Sequence, residues 1–205
     1  MTVTSLTPKS KTRTRVEIDY DTTLVLSNRD VYLYNLRVGE EIPENVWDMI
    51  RDEQKSSALR KCGSLLQDMD YARQGLIDKL TRAGYPEDIA TEAADRMEEA
   101  HYIDDRRLSD SYLKYHLNDR SLARIRQDLL RKGVPGTVIE EAIAAYREEN
   151  EAVITQQEEE QIRQLLAKRH FDLDTADYAE IQKTIAFLLR KGYAMETIRK
   201  VMKEQ

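Results

Sequence analysis

The residues best suited to chemistry in this chain are cationic and concentrated in one stretch. Residues 106–132 carry Arg106, Arg107, Lys114, Arg120, Arg124, Arg126, Arg131 and Lys132 against Asp110, Asp119 and Asp128. Eight cations therefore meet three anions, a local charge of +5 inside a 205-residue chain whose net charge is -6. Laid on a helix at about 100° per residue, Leu122, Ile125 and Leu129 share one face. Arg120, Arg124, Gln127 and Arg131, at i, i+4, i+7 and i+11, line the opposite face. Such a row suits phosphates or the carboxylates of an acidic protein groove. It is also the pattern of a solvated helix face whose last arginines complement the negative end of the helix dipole. The spacing leaves both readings open.

Other chemistry-bearing residues point away from catalysis. Asp104 and Asp105 form a carboxylate pair, but they precede a helical pattern, where Asp serves as an N-cap and meets the positive end of the dipole. Ser121 reads as an N-cap in the same way. His101, His116 and His170 lack ligand spacing, so no metal site is expected. Cys62 is the single cysteine; it has no disulfide partner within the chain, reads as a core residue, and fits a reducing compartment. No phosphate-cradling glycine loop, dinucleotide fingerprint or nucleophile elbow is present. The expectation is a protein with no catalytic residue, no metal and no cofactor. Tyr102, Tyr112, Tyr115 and Tyr146 lie near the basic stretch, either to stack bases or to sit half-buried between helices.

The elements that must position these residues repeat. Leu129-Leu130-Arg131-Lys132-Gly133-Val134 returns as Leu188-Leu189-Arg190-Lys191-Gly192-Tyr193. A weaker copy precedes both as Leu80-Thr81-Arg82-Ala83-Gly84-Tyr85. Each phrase ends one predicted helix, with glycine placed to take the left-handed conformation, and leads into another. Pro86 and Pro135 follow two residues on and suit a helix start. Leu80, Leu129 and Leu188 correspond, as do Ala90, Ile139 and Ile198, and Ala93, Ala142 and Val201; these are predicted core positions. The helices are predicted over 55–68, 73–83 and 87–100, then 105–118, 122–132 and 136–148, then 152–169, 177–191 and 195–204. The fold class is mainly α: a tandem array of three three-helix repeats forming an elongated, curved molecule, which suits a binding surface more than a reaction pocket.

A small strand-rich N-terminal segment precedes the array. Val16, Ile18 and Tyr20 alternate with Glu17 and Asp19, and Leu24-Val25-Leu26 and Val31-Tyr32-Leu33-Tyr34 flank the turn-like Ser27-Asn28-Arg29-Asp30, so a β-hairpin is expected. Residues 1–13 read as a disordered basic tail, 14–54 as the strand-rich segment with a first helix, and 55–103, 104–149 and 150–205 as the three repeats. Between the last two, residues 148–160 carry Glu148, Glu149, Glu151, Glu158, Glu159 and Glu160 without a cation, either as a solvated joint or as a mimic of an acidic surface. Neither a secretory leader nor a membrane-spanning run is recognisable, so the chain is expected to be cytoplasmic.

Tyr102-Ile103-Asp104-Asp105-Arg106-Arg107-Leu108, Tyr112, and Arg120-Ser121-x-x-Arg124-Ile125-x-x-x-Leu129-x-x-Lys132-Gly133-Val134 resemble the core signature of the RecX regulatory proteins. Tyr71-Ala72-Arg73 with Leu80 and Gly84-Tyr85, and Leu188-x-x-Lys191-Gly192-Tyr193, are similar to the family's outer units. The resemblance covers about residues 14–205. It implies a monomeric, non-catalytic regulator whose partner is the RecA recombinase filament. Such a protein lies in the filament groove, touches single- or double-stranded DNA held within it, and inhibits the recombinase, ATPase and co-protease activities. It turns Arg120, Arg124, Arg131, Lys132, Arg107 and Lys114 into candidate partner-binding residues. Two alternatives are direct DNA binding by the basic helix pair of the second repeat, and a helical adaptor for another protein.

Overall fold

The computed structural model describes residues 1–204; Gln205, the last residue of the expected third repeat, lies outside them. The chain divides into two units, one spanning Met1–Asp104 and the other beginning at Asp105.

The first unit opens with an antiparallel sheet of order β1-β2-β3, formed by Val3–Pro8, Arg13–Ile18 and Thr22–Ser27. The expected disordered tail is thus corrected: six of its residues form β1, with Leu6 opposite Val16 and Pro8 opposite Thr14. The strand escaped notice because Thr and Ser separate its two apolar residues, although β-branched threonine favours a pleated edge. The β2–β3 turn falls at Asp19 and Tyr20, both at positive φ (50° and 64°), and not at residues 27–30. Those residues instead start a helix, α1 (Asn28–Leu33), in place of the expected strand over 31–34. Ser27 caps it: its hydroxyl accepts the Asp30 N–H at 3.1 Å and donates to the Asp30 carboxylate at 2.7 Å. The Ser-x-x-Asp spacing before an apolar run is the sequence signal for that cap.

The first helix expected at the end of residues 14–54 and the one expected over 55–68 run together as α2 (Glu44–Asp68), which serves two layers. Its Trp47 and Ile50 close the sheet's core with Val3, Val16, Ile18, Leu24 and Leu26. Its Ala58 and Cys62, both fully buried, pack instead with α3 (Arg73–Ala83) and α4 (Glu87–Glu99). Burial pushes the Cys62 thiol up to about 11, which keeps it a neutral core residue.

The second unit holds α5 (Asp105–His116), α6 (Leu122–Lys132), α7 (Gly136–Lys168), α8 (Tyr178–Arg190) and α9 (Met195–Lys203). The two helices expected over 136–148 and 152–169 run together as α7, broken only by a non-helical backbone at Asn150 (φ -134°). Of the glutamates near this kink, Glu159 is buried and binds Lys200 at 2.5 Å and Arg163 at 3.3 Å. That one tethers α9 to α7 and is not part of a solvated joint.

The predicted core correspondence is observed in full. Leu80, Leu129, Leu188, Ala90, Ile139 and Ile198 are each 0 % exposed, and Ala93, Ala142 and Val201 at most 1 %. Each such apolar side chain contributes about 1.5–3 kcal/mol when aliphatic and large, so these positions dominate the stability of each helix trio. Gly84, Gly133 and Gly192 have φ of 104°, 92° and 94°. The following N–H closes each helix end, as Tyr85 does on Leu80 and Val134 on Leu129.

Candidate functional site

The phrase of the sequence repeat builds a cleft. α6 buries Leu122, Ile125 and Leu129 and turns its basic face outward. Its start is fixed by Ser121, whose hydroxyl accepts the Arg124 N–H at 3.3 Å and donates to the Lys191 carbonyl at 2.6 Å. This second bond fastens the beginning of α6 to the end of α8. Gly192 allows the approach: a Cβ there would lie 2.5 Å from the Ala123 Cβ and 2.9 Å from the Ser121 Oγ. The glycine is therefore both a helix stop and a docking point.

Between α6, the second half of α7 and the end of α8 lies a space of about 1010 Å³. Arg131 and Lys132 line one side, and Arg190 and Lys191, their equivalents in the next copy, line the other. Arg120, Arg124 and Lys168 add to them, while Asp119 and Asp128 are the acidic residues of the lining. Seven cations to two carboxylates is a strongly electropositive site in a net-acidic chain. Its inner wall is a buried relay: Tyr193 donates to the Gln161 side-chain oxygen Oε1 at 2.9 Å, and the Gln161 Nε2 donates to the Leu117 backbone carbonyl at 2.6 Å. Burial, with the charge of Glu158, pushes the Tyr193 hydroxyl up to about 12, so it stays a donor.

The arginine row is more ordered than the helical spacing implies. Asp128 lies in its midst at 6 % exposed and binds Arg120 at 2.9 Å, Arg124 at 3.3 Å, and Arg131. Burial works to raise the Asp128 carboxyl, but hydrogen bonds from Arg131 and Arg120 and the charge of Arg124 outweigh it and hold it below the ordinary carboxylate range. Arg120 also donates to the Tyr112 hydroxyl at 2.7 Å. The Lys132 ammonium sits 5.4 Å from the Tyr112 ring centre, a cation–π contact. One carboxylate thus pins three guanidinium groups with donors to spare.

Of the sequence-predicted residues, Arg120, Arg124, Arg131 and Lys132 meet at the cleft. Arg107 and Lys114 lie on α5, exposed, and do not line it. Arg106 pairs with Asp110 at 2.9 Å and Arg126 with Glu140. Sequence reasoning missed Lys168 and Lys191; Arg190 stood out only as the repeat's counterpart of Arg131, and the repeated Arg-Lys pair was the signal for Lys191 as well. It also missed Asp128, which reads as a helix-surface residue until its three partners surround it. Among the four tyrosines, Tyr112 and Tyr146 are half-buried, while Tyr102 and Tyr115 are exposed.

Fold and cleft define a class: a protein of helical three-helix units with a strongly cationic cleft. Residues 104–143 match the second three-helix domain of RecX, and residues 157–202 match its third. The chain is 28 % identical over 200 residues to regulatory protein RecX of Clostridium botulinum (strain Eklund 17B / Type B), covering 96 % of this chain and 91 % of that one. It is 29 % identical over 155 residues to regulatory protein RecX of Streptomyces lividans, covering 70 % and 77 %. A crystal structure of regulatory protein RecX shares the fold at TM-score 0.64 and 19 % identity, over 100 % of this chain and 99 % of that one. RecX from Lactobacillus salivarius does so at 0.61 and 19 %, over 75 % and 97 %. The chain belongs to the RecX family.

Proposed function

We propose that this protein regulates the RecA recombinase by lying in the groove of the RecA-DNA filament, where it inhibits recombinase, ATPase and co-protease activity without catalysis of its own. The observation that carries the reading is the cleft of the second unit, where two copies of the Arg-Lys pair face one space. A surface of fixed guanidinium groups suits an acidic edge of a nucleoprotein filament. The net charge of -6 disfavours indiscriminate adhesion to every polyanion. Arg120, just before α6, and Arg124, Arg131 and Lys132 on α6 are the anchors, and Lys168 and Arg190 the opposing ones. Arg107 and Lys114 have a peripheral role on α5.

The test is RecA ATP hydrolysis and strand exchange on single-stranded DNA with this protein added. Inhibition at or below one protein per RecA supports the proposal, and unchanged activity in both assays sinks it. Lys168→Glu/Arg190→Glu is the informative variant, because both side chains are exposed and have no ion pair among the described residues. Loss of two charged contacts at about 1 kcal/mol each is expected to weaken inhibition by roughly tenfold or more. Equal inhibition by the folded variant removes the cleft from the mechanism. Binding of naked DNA with full affinity and no effect on RecA would instead favour direct DNA recognition.

A further inference from the structure

We infer that the β1–β2 hairpin of the first unit is a second, separate contact surface, built for the phosphodiester backbone of a nucleic acid strand. The tip and the start of β2 read Lys9-Ser10-Lys11-Thr12-Arg13-Thr14-Arg15, four cations and three hydroxyl residues with neither a carboxylate nor an apolar side chain. Phosphate contacts are made by Lys, Arg, Ser, Thr and backbone N–H groups. Protein interfaces instead depend on buried aromatic and apolar anchors, which this tip lacks.

The hairpin is held in shape before any ligand arrives. The Lys9 and Ser10 N–H groups both bond to the Arg13 carbonyl, at 2.9 and 3.1 Å. Asn28, at the start of α1, clamps the tip from the side. Its N–H reaches the Thr12 carbonyl at 2.9 Å, its amide donates to the Lys11 carbonyl at 3.1 Å, and its side-chain oxygen accepts from Thr14 at 2.9 Å. The same clamp brings Arg29 alongside. Lys9 is already committed, donating to the Ala83 carbonyl at 3.1 Å. Lys11, Arg13, Arg15 and Arg29 are exposed and have no ion pair among the described residues.

Strand alternation puts Arg13 and Arg15 on one face, about 7 Å apart along β2. That face holds one acidic residue of β2, the half-buried Glu17 opposite Thr23. The Asp30 carboxylate, two residues beyond Asn28, is taken by Ser27. A rigid row of unneutralised cations without a stacking aromatic reads phosphates and not bases, so recognition is independent of sequence.

The experiment is binding of the full chain to labelled thymidine and adenine homopolymers across a salt series, followed by anisotropy. Lys11→Gln/Arg13→Gln/Arg15→Gln is compared with wild type and with the cleft variant Lys168→Gln/Arg190→Gln. Removing three phosphate contacts is expected to make the slope of log affinity against log salt shallower by about 2, and to weaken low-salt binding by about tenfold or more, equally for both homopolymers. If the triple variant has lost its thermal transition, the single variants Arg13→Gln and Arg15→Gln are each expected to change the slope by about 0.7. A folded hairpin variant with wild-type affinity and slope overturns the inference. So does loss of binding confined to the cleft variant, and so does a hairpin variant that loses affinity for polyglutamate while keeping it for DNA. Failure here leaves the proposal for the cleft standing, because that is read by RecA activity.

Discussion

Asp128 decides what the basic face of α6 is. Without it, Arg120, Arg124 and Arg131 would repel one another and spread into solvent; with it, they share one buried carboxylate. The native carboxyl is held below its ordinary range, so it binds fewer protons than in the unfolded chain. Its contribution is fully present above the unfolded value, near pH 4, and disappears as pH falls through the lower native value. Asp128→Asn is therefore expected to lower stability by about 1–2 kcal/mol at pH 7, since its partners are partly exposed. The difference from wild type should shrink below about pH 4, a trend that urea titrations at several pH values would reveal. A difference that stayed constant with pH would mean Asp128 acts by packing alone. On the sequence, Asp128 was visible only as an anion among cations, because helical spacing says which face a residue occupies but not what encloses it.

Among the elements, the Leu-x-Arg-Lys-Gly phrase acts as a joint. Gly84 ends α3 where β3 arrives: Val25 donates to the Gly84 carbonyl at 3.0 Å, and a Cβ on Gly84 would meet the Val25 Cγ2 at 2.2 Å. Gly192 does the same for α8 and the start of α6. This explains why Leu24-Val25-Leu26 is an unbroken apolar run, since both faces of β3 are covered there. Gly192→Ala combines a left-handed backbone with a close contact, and is expected to cost about 2–4 kcal/mol. Gly63→Ala is the contrasting change. It lies inside α2 with nothing within 4 Å of the added methyl, so it is expected to stabilise by about 0.5–1 kcal/mol. Denaturation midpoints of the two variants should move in opposite directions; parallel shifts would show that the phrase glycine carries no contact of its own. The stop function of these glycines was legible in the repeat, whereas the docking function was not, because Ala123 and Ser121 lie 69 and 71 residues before Gly192, and Val25 lies 59 residues before Gly84.

At the scale of the whole molecule, charge is sorted. A net -6 chain carries its surplus of cations at the cleft of the second unit and on the hairpin of the first. The inhibition of RecA proposed for such a surface is expected to weaken as salt rises from about 50 to 200 mM, by tenfold or more, because exposed cations lose their pull as the Debye length shortens. Salt-insensitive inhibition would point to an apolar contact instead. By itself, the sequence determined the mainly helical class, the glycine-terminated ends of α3, α6 and α8 and the equivalent core positions, since these rest on local periodicity and on the left-handed preference of glycine. It also determined that α6 has a basic face. Only the tertiary structure decided that residues 3–8 pair as a strand, and that Arg190 and Lys191 face Arg131 and Lys132 across one cleft. The reason is physical: local propensity is written along the chain, but an edge strand or a cleft exists only where residues far apart in sequence exclude water together.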